Sequence, residues 1–167
     1  MTHSKEWFSD RIREHENGLY ALAFSYVKNE ADAGDCLQNA ILKAYEHLGQ
    51  LSDPDSFKPW LYGILVNCCK DELKRRGRVD LRDDGMPEQA EPEPRISRDT
   101  RYTLLDAVMK LEPPYRTVLL LHYYEDMAVS DIARVTGRTP GAVRKQLERG
   151  RTQLKAVLLK EGFFYDE

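Results

Sequence analysis

Between Gly77 and Ser97 the chain reads GRVDLRDDGMPEQAEPEPRIS, where proline and acid crowd out large apolar residues and no hydrophobic period survives. Such a segment cannot bury enough surface to repay its own ordering, and at roughly 20 residues it exceeds an ordinary loop. It divides the chain. Residues 1–76 and 98–160 are each expected to build a core of their own, with 77–97 as a flexible acidic linker and 161–167 as a tail. With 41% hydrophobic residues over 167 positions, both halves have material for a small packed core.

Within the first half every periodic stretch has helical spacing. Trp7, Phe8, Ile12, Leu19, Leu22, Ala23, Tyr26 and Val27 predict one bent helix or two short ones, with Asn17-Gly18 as the break. After a Lys28-Asn29 turn, Cys36, Leu37, Ala40, Ile41, Ala44, Tyr45 and Leu48 form an apolar stripe on a helix from Asp32, ended by Gly49. Asp32 and Asp35 fall in its first turns, where the helix dipole favours acids; an acidic patch for a basic partner has the same spacing. Asp53-Pro54 then supplies a cap and a first-turn proline before a helix from Phe57 to Arg76. Its inward residues are Phe57, Trp60, Leu61, Ile64, Leu65 and Cys68, while Lys58, Tyr62, Asn67, Lys70, Asp71, Lys74, Arg75 and Arg76 are expected to face solvent. Rings beside cations suit unpaired nucleic acid, whose bases stack while phosphates meet charge. Phe57, Trp60 and Tyr62 are also the rings a helical core would use.

In the second half a helix from Thr100 carries Leu104, Leu105, Val108, Met109 and Leu111 and stops at Glu112-Pro113-Pro114; Pro114 opens another, Tyr115 to Glu125. The segment from Ala128 to Lys155 then reads helix, turn, helix. Ile132 and Ala133 lie on a short helix, Gly137 supplies the positive φ of a sharp turn, and Thr139-Pro140 is an N-cap with a first-turn proline. On the second helix Val143, Leu147, Leu154 and Val157 share one face. From Ala133 to Lys155, Arg134, Arg138, Arg144, Lys145, Arg149, Arg151 and Lys155 stand against Glu148 alone, in a chain of net charge −3. That density of cations on a helix-turn-helix is the footprint of a surface that meets DNA. No stretch alternates apolar and polar residues at strand spacing, so the expected class is all-α: two small helical domains with a C-terminal helix-turn-helix.

Other function classes find little support. No H-E-x-x-H, G-x-x-x-x-G-K or G-x-S-x-G occurs, and none of the four histidines follows a glutamate at helical metal-site spacing, so neither catalysis nor a metal or cofactor is expected. Cys36, Cys68 and Cys69 form no C-x-x-C pair and read as reduced structural thiols. Neither a signal pattern nor an apolar run of membrane-spanning length is present, so a cytoplasmic protein without membrane insertion is expected.

Two sets of motifs resemble one family. Asp32-Ala33-Gly34-Asp35-Cys36-Leu37-Gln38, followed by Phe57, Trp60, Leu61, Ile64 and Asn67, is similar to the D-A-x-D-x-x-Q and F-x-x-W-L-x-x-I-x-x-N segments of bacterial sigma factors of the extracytoplasmic-function group. Leu111-Glu112-Pro113-Pro114-Tyr115-Arg116 to Leu121, then Ile132-Ala133, Gly137, and Gly141-Ala142-Val143-Arg144 to Arg149, resemble the same family's region 4. The resemblance implies a factor that binds core RNA polymerase and directs initiation at promoters, with a promoter-melting domain in 1–76 and a −35-reading domain in 98–160. It implies that Asp32, Asp35 and Gln38 dock on the polymerase's largest subunit. The loop Gln50 to Ser56, with Ser52 and Asp53, would capture a flipped −10 base. Lys58, Trp60, Tyr62, Asn67, Lys70, Lys74 and Arg75 would hold the opened strand and the upstream duplex edge. Arg144, Lys145, Glu148 and Arg149 would face −35 base edges, with Arg138, Thr139 and Arg151 on phosphates. An anti-sigma partner covering both DNA-facing surfaces is implied too. The chain departs from the pattern at Ala128, where a capping Ser or Thr is frequent, and at Gln146, Glu148 and Gly150 on the reading helix. A stand-alone DNA-binding regulator and a protein-interaction module are the rival readings.

Overall fold

In the computed structural model, which describes residues 3–80 and 100–161, all regular structure among the described residues is helical. Ser4 starts α1 (Lys5–Val27) by accepting from the Trp7 amide at 3.0 Å, and the helix runs unbroken through Asn17-Gly18. A mid-helix glycine costs about 1 kcal/mol, less than the burial of Leu19 and Leu22 just beyond it returns. Lys28 closes α1 in the left-handed region at φ 53°, and Asn29 caps α2 (Glu30–Glu46) by accepting from the Asp32 amide. α2 ends at Glu46, before the expected Gly49, which lies instead in a 3-10 turn, Leu48–Gln50. A second 3-10 turn, Pro54–Ser56, is capped by Asp53 and leads into α3 (Phe57–Asp80).

α3 packs against both α1 and α2, so two adjacent rows of its side chains are buried: Leu61, Leu65 and Cys68, and beside them Tyr62, Val66 and Cys69. The small residues Ala33, Cys36, Ala40 and Ala44 line the buried stripe of α2. All three cysteines are free and buried, and burial pushes each thiol above its ordinary pKa, which makes them poor nucleophiles. α3 continues past the expected end at Arg76 to Asp80. Apolar periodicity reports burial rather than helix, so it does not mark where a helix ends. The remaining expected linker, 81–97, and the tail from Gly162 lie outside the described residues.

The chain divides into two compact units, the first carrying α1 to α3 and the second carrying α4 (Thr100–Met109), α5 (Pro113–Leu119), α7 (Pro140–Lys160) and the start of α6 (Val129–Thr136). α5 begins at Pro113 and gives way at Leu120–Tyr124 to a π-helical turn, where one continuous helix to Glu125 was expected. Its wider ring is closed by the Glu125 amide on the Leu120 carbonyl at 3.2 Å. α7 crosses α5 at Gly150, which is buried; a Cβ there would stand 3.2 Å from Leu119 Cδ1 and 3.4 Å from Tyr115 Cβ. Gly150, a departure from the family pattern, is the point that lets the two helices approach. Arg116 on α5 is 4% exposed, and its Nη1 donates to the carbonyls of Leu111 at 3.1 Å and Met109 at 3.4 Å, which closes the end of α4. Lys110 pairs with Glu161 and ties the same end to the end of α7.

At α6 the Ala128 carbonyl accepts from the Asp131 and Ile132 amides, both at 3.0 Å, so Ala128 occupies the cap without a side-chain acceptor. Ala128→Ser is expected to stabilise the C-terminal unit by about 0.5–1 kcal/mol and to raise its melting temperature by about 3–6 °C, measured by thermal circular dichroism. An unchanged melt would mean the first turn of α6 is satisfied by other groups.

Candidate nucleic-acid interface

The turn before α7 forms as its residues dictate. Gly137 sits at φ 69°, and Thr139 Oγ1 accepts from the Ala142 amide at 3.1 Å with Pro140 in the first turn. Val143 and Leu147 are buried, which fixes the rotation of the helix and leaves Arg144, Lys145, Glu148, Arg149, Arg151 and Lys155 exposed. Arg144, Lys145, Glu148 and Arg149 lie at i, i+1, i+4 and i+5, two neighbouring rows on one side of the helix. Arg138 and Thr139 are exposed at its N-terminal end, where the positive end of the helix dipole favours an anion. Arg151 Nη1 donates to the Tyr123 hydroxyl at 3.0 Å. Tyr123 was not singled out by the sequence, since nothing there announces the π-helical turn that carries it.

On α3, Asn67, Lys70, Lys74 and Arg75 are exposed, whereas Lys58 and Trp60 are half-buried. Asn67, Lys70 and Lys74 form a row at i, i+3 and i+7. Tyr62 requires a correction: it is fully buried, its ring 6.2 Å from that of His15 in an edge-on contact. Tyr62, Val66 and Cys69 form a second buried row beside Leu61, Leu65 and Cys68, because α3 is covered on two sides. Phe57 is core as well, meeting Trp7 at 5.2 Å and Phe8 at 6.1 Å edge-on, and Trp60 leans on it at 5.9 Å with part of its surface open. Ser52 and Asp53 are exposed in the loop before α3, but Asp53 Oδ1 is engaged in capping the Asp55 amide at 3.0 Å.

The expected docking residues divide similarly. Asp35 and Gln38 are exposed on α2, while Asp32 is half-buried and paired with Arg76. That guanidinium also donates to the Val27 carbonyl at 3.0 Å and lies 3.5 Å from Glu72, so one side chain joins the end of α1, the start of α2 and its own helix. Glu72 in turn holds Arg75 through two hydrogen bonds, at 3.0 and 2.6 Å, and the Arg75 guanidinium keeps the Glu72 carboxyl below the usual carboxylate range. Leu42 and Tyr45, 57% and 50% exposed, continue the Asp35–Gln38 side of α2 at helical spacing. Tyr45 thus stands outside the buried stripe its spacing predicts. No group of three or more potential metal-ligating side chains gathers among the described residues, and no described helix is long and apolar enough to cross a membrane.

Residues 11–79 match the family model for sigma-70 region 2, and residues 101–154 match that for sigma-70 region 4. The chain is 33% identical over 151 residues to the RNA polymerase sigma factor SigV of Bacillus subtilis, covering 90% of each chain. It is 29% identical over 164 residues to the ECF RNA polymerase sigma factor SigE of Mycolicibacterium smegmatis, which spans 92% of this chain and 62% of that relative. Its fold is similar to that of the sigma factor RpoE solved in complex with the anti-sigma factor NepR from Bartonella quintana, with a TM-score of 0.77, 23% identity, and coverage of 90% of this chain and 96% of that one. Both halves thus match the same family in the same order, and the chain belongs to the extracytoplasmic-function group of sigma-70 RNA polymerase sigma factors.

Proposed function

We propose that this sigma factor selects promoters for RNA polymerase by reading the −35 element with α7 and by holding the opened −10 strand against α3, with docking on polymerase through the outer side of α2. The observation that carries the reading is the rotation of α7: burial of Val143 and Leu147 turns Arg144, Lys145, Glu148 and Arg149 outward together. Arginine and lysine donate to guanine edges and to phosphate, and glutamate accepts from a cytosine amine, so this face carries donors and an acceptor for the major groove. On α3 the open edge of Trp60 with Asn67, Lys70, Lys74 and Arg75 offers a ring and cations to an unpaired strand, whose unstacking costs a few kcal/mol that stacking and phosphate contacts offset. Tyr62 takes no part in that surface. Ser52 and Asp53 border it in the preceding loop.

On α2, Asp35, Gln38, Leu42 and Tyr45 give a polymerase-facing surface with a polar end and an apolar end, and Asp32 acts through Arg76 to fix the first turn. The chain works as a non-catalytic specificity factor in the cytoplasm, where polymerase and chromosome are. Two small footprints on separate units gain avidity only when polymerase fixes their spacing, so the chain alone binds promoters weakly. An anti-sigma factor covering both DNA-facing surfaces is the expected inhibitor.

The test is transcription in vitro with core enzyme over a promoter library, alongside gel filtration with core. Co-elution and one recurrent pair of −35 and −10 motifs support the reading, and Asp35→Ala with Gln38→Ala is expected to weaken co-elution by about tenfold or more. Dimers that bind a palindrome tightly without polymerase would instead establish a stand-alone regulator.

A further inference from the structure

Arg144, Glu148, Arg151 and Lys155 fall at i, i+4, i+7 and i+11, so Arg151 continues the Arg144–Glu148 row, about 10 Å along α7 from Arg144 at 1.5 Å per residue. A helix laid in the major groove leaves the base edges over such a distance, and the next acceptor it meets is the sugar-phosphate backbone. At that place a second element arrives. The π-helical turn Leu120–Tyr124 carries Tyr123, 51% exposed, whose hydroxyl accepts from Arg151 Nη1 at 3.0 Å and whose ring stands edge-on to His122 at 4.8 Å. His122 is itself anchored, with Nδ1 donating to the Met127 carbonyl at 3.1 Å. The phenol is thus held at its ring and at its oxygen.

A hydroxyl that accepts from a guanidinium keeps its own proton to give, and the positive charge beside it makes that proton a better donor. Arg151 likewise keeps its remaining N–H groups. Two donors from segments 28 residues apart therefore converge on an exposed position at the far end of the reading face. Arginine alone at this site would swing over a wide arc; the tyrosine restricts it before DNA arrives, which lowers the ordering cost of contact.

We propose that Tyr123 and Arg151 form a clamp for a single backbone phosphate of duplex DNA, beyond the base pairs read by Arg144 and Arg149, with Tyr123 as both a direct donor and the residue that positions Arg151. This rests on the reading of α7 as the −35 helix. The test uses the full chain bound to core polymerase on a promoter fragment from the library transcription, with each phosphate near the −35 element replaced in turn by a neutral methylphosphonate. One position outside the base contacts is expected to weaken wild-type binding about fivefold to tenfold, and Tyr123→Phe, which removes only the oxygen, to weaken binding to unmodified DNA by a similar factor. With either Tyr123→Phe or Arg151→Gln that position becomes insensitive to neutralisation, and the double variant is no weaker than the more impaired single one. Wild-type affinity for Tyr123→Phe, or losses that simply add, would overturn the clamp. A Tyr123→Phe defect spread evenly over all phosphates with a lowered melting temperature would overturn it in favour of a purely structural tyrosine. Arg149→Ala is the control: if it also binds as wild type, the −35 reading itself fails, and if it alone weakens binding, only the clamp does.

Discussion

Replacing Arg144 and Arg149 together with glutamate is expected to lower run-off transcription from a −35-dependent promoter by about a thousandfold. Each well-placed arginine contact to a base or phosphate is worth about 1–3 kcal/mol, and reversal adds repulsion from the backbone to the loss of both. Both side chains are exposed on a helix whose opposite side is anchored by Val143 and Leu147, so the fold has no stake in their charge. The melting curve and co-elution with core polymerase should therefore match wild type while transcription collapses. Near-normal transcription from the doubly reversed protein would transfer the cationic face of α7 to a protein partner. The salt dependence offers a second readout: the slope of log affinity against log salt should fall by about 0.9 for each of the two arginines that sits on a phosphate, and not for one that meets only bases.

Arg116→Met should unfold the C-terminal unit well before the N-terminal one. The methionine keeps an apolar stem in a site that is 4% exposed, but it removes the donors to the Leu111 and Met109 carbonyls at the end of α4. Buried acceptors left without a partner cost about 1–3 kcal/mol each, so a loss of about 3 kcal/mol is expected, or about 12–24 °C in melting temperature for a unit of this size. A unit this small buries too little to absorb that. Thermal circular dichroism should then resolve two transitions, the lower one belonging to α4–α7, and promoter binding should be lost with it. A single unshifted transition would mean that the carbonyls find water or another donor, and that Arg116 is held in place by packing alone.

The two variants separate what the arginines do. Arg144 and Arg149 are carried outward by a helix that needs neither, and Arg116 is drawn inward because helix ends leave carbonyls that some donor must meet. In the first unit Arg76 combines both tasks at one remove, closing the α1–α2 turn through Val27 and Asp32 and so holding the first turn of the helix that carries Asp35 and Gln38.

Much of this protein is written in local chemistry. The helical class, the Thr139-Pro140 start of α7, the positive φ of Gly137 and the outward turn of Arg144 to Arg149 follow from residue types and spacing alone, because caps, turn glycines and one-sided apolar rows act within a few residues of themselves. What lay beyond the sequence depended on partners distant along the chain. Tyr62 could not be told from a solvent-facing ring until α3 was packed on two sides, Gly150 was only a departure from a pattern until Leu119 and Tyr115 came against it, and Tyr123 meant nothing until the π-helical turn brought it to Arg151. Periodicity records whether a residue is one side of a helix or the other; which of those sides meets another helix, and which side chain waits there, is settled only when elements far apart in sequence compete for the same buried surface.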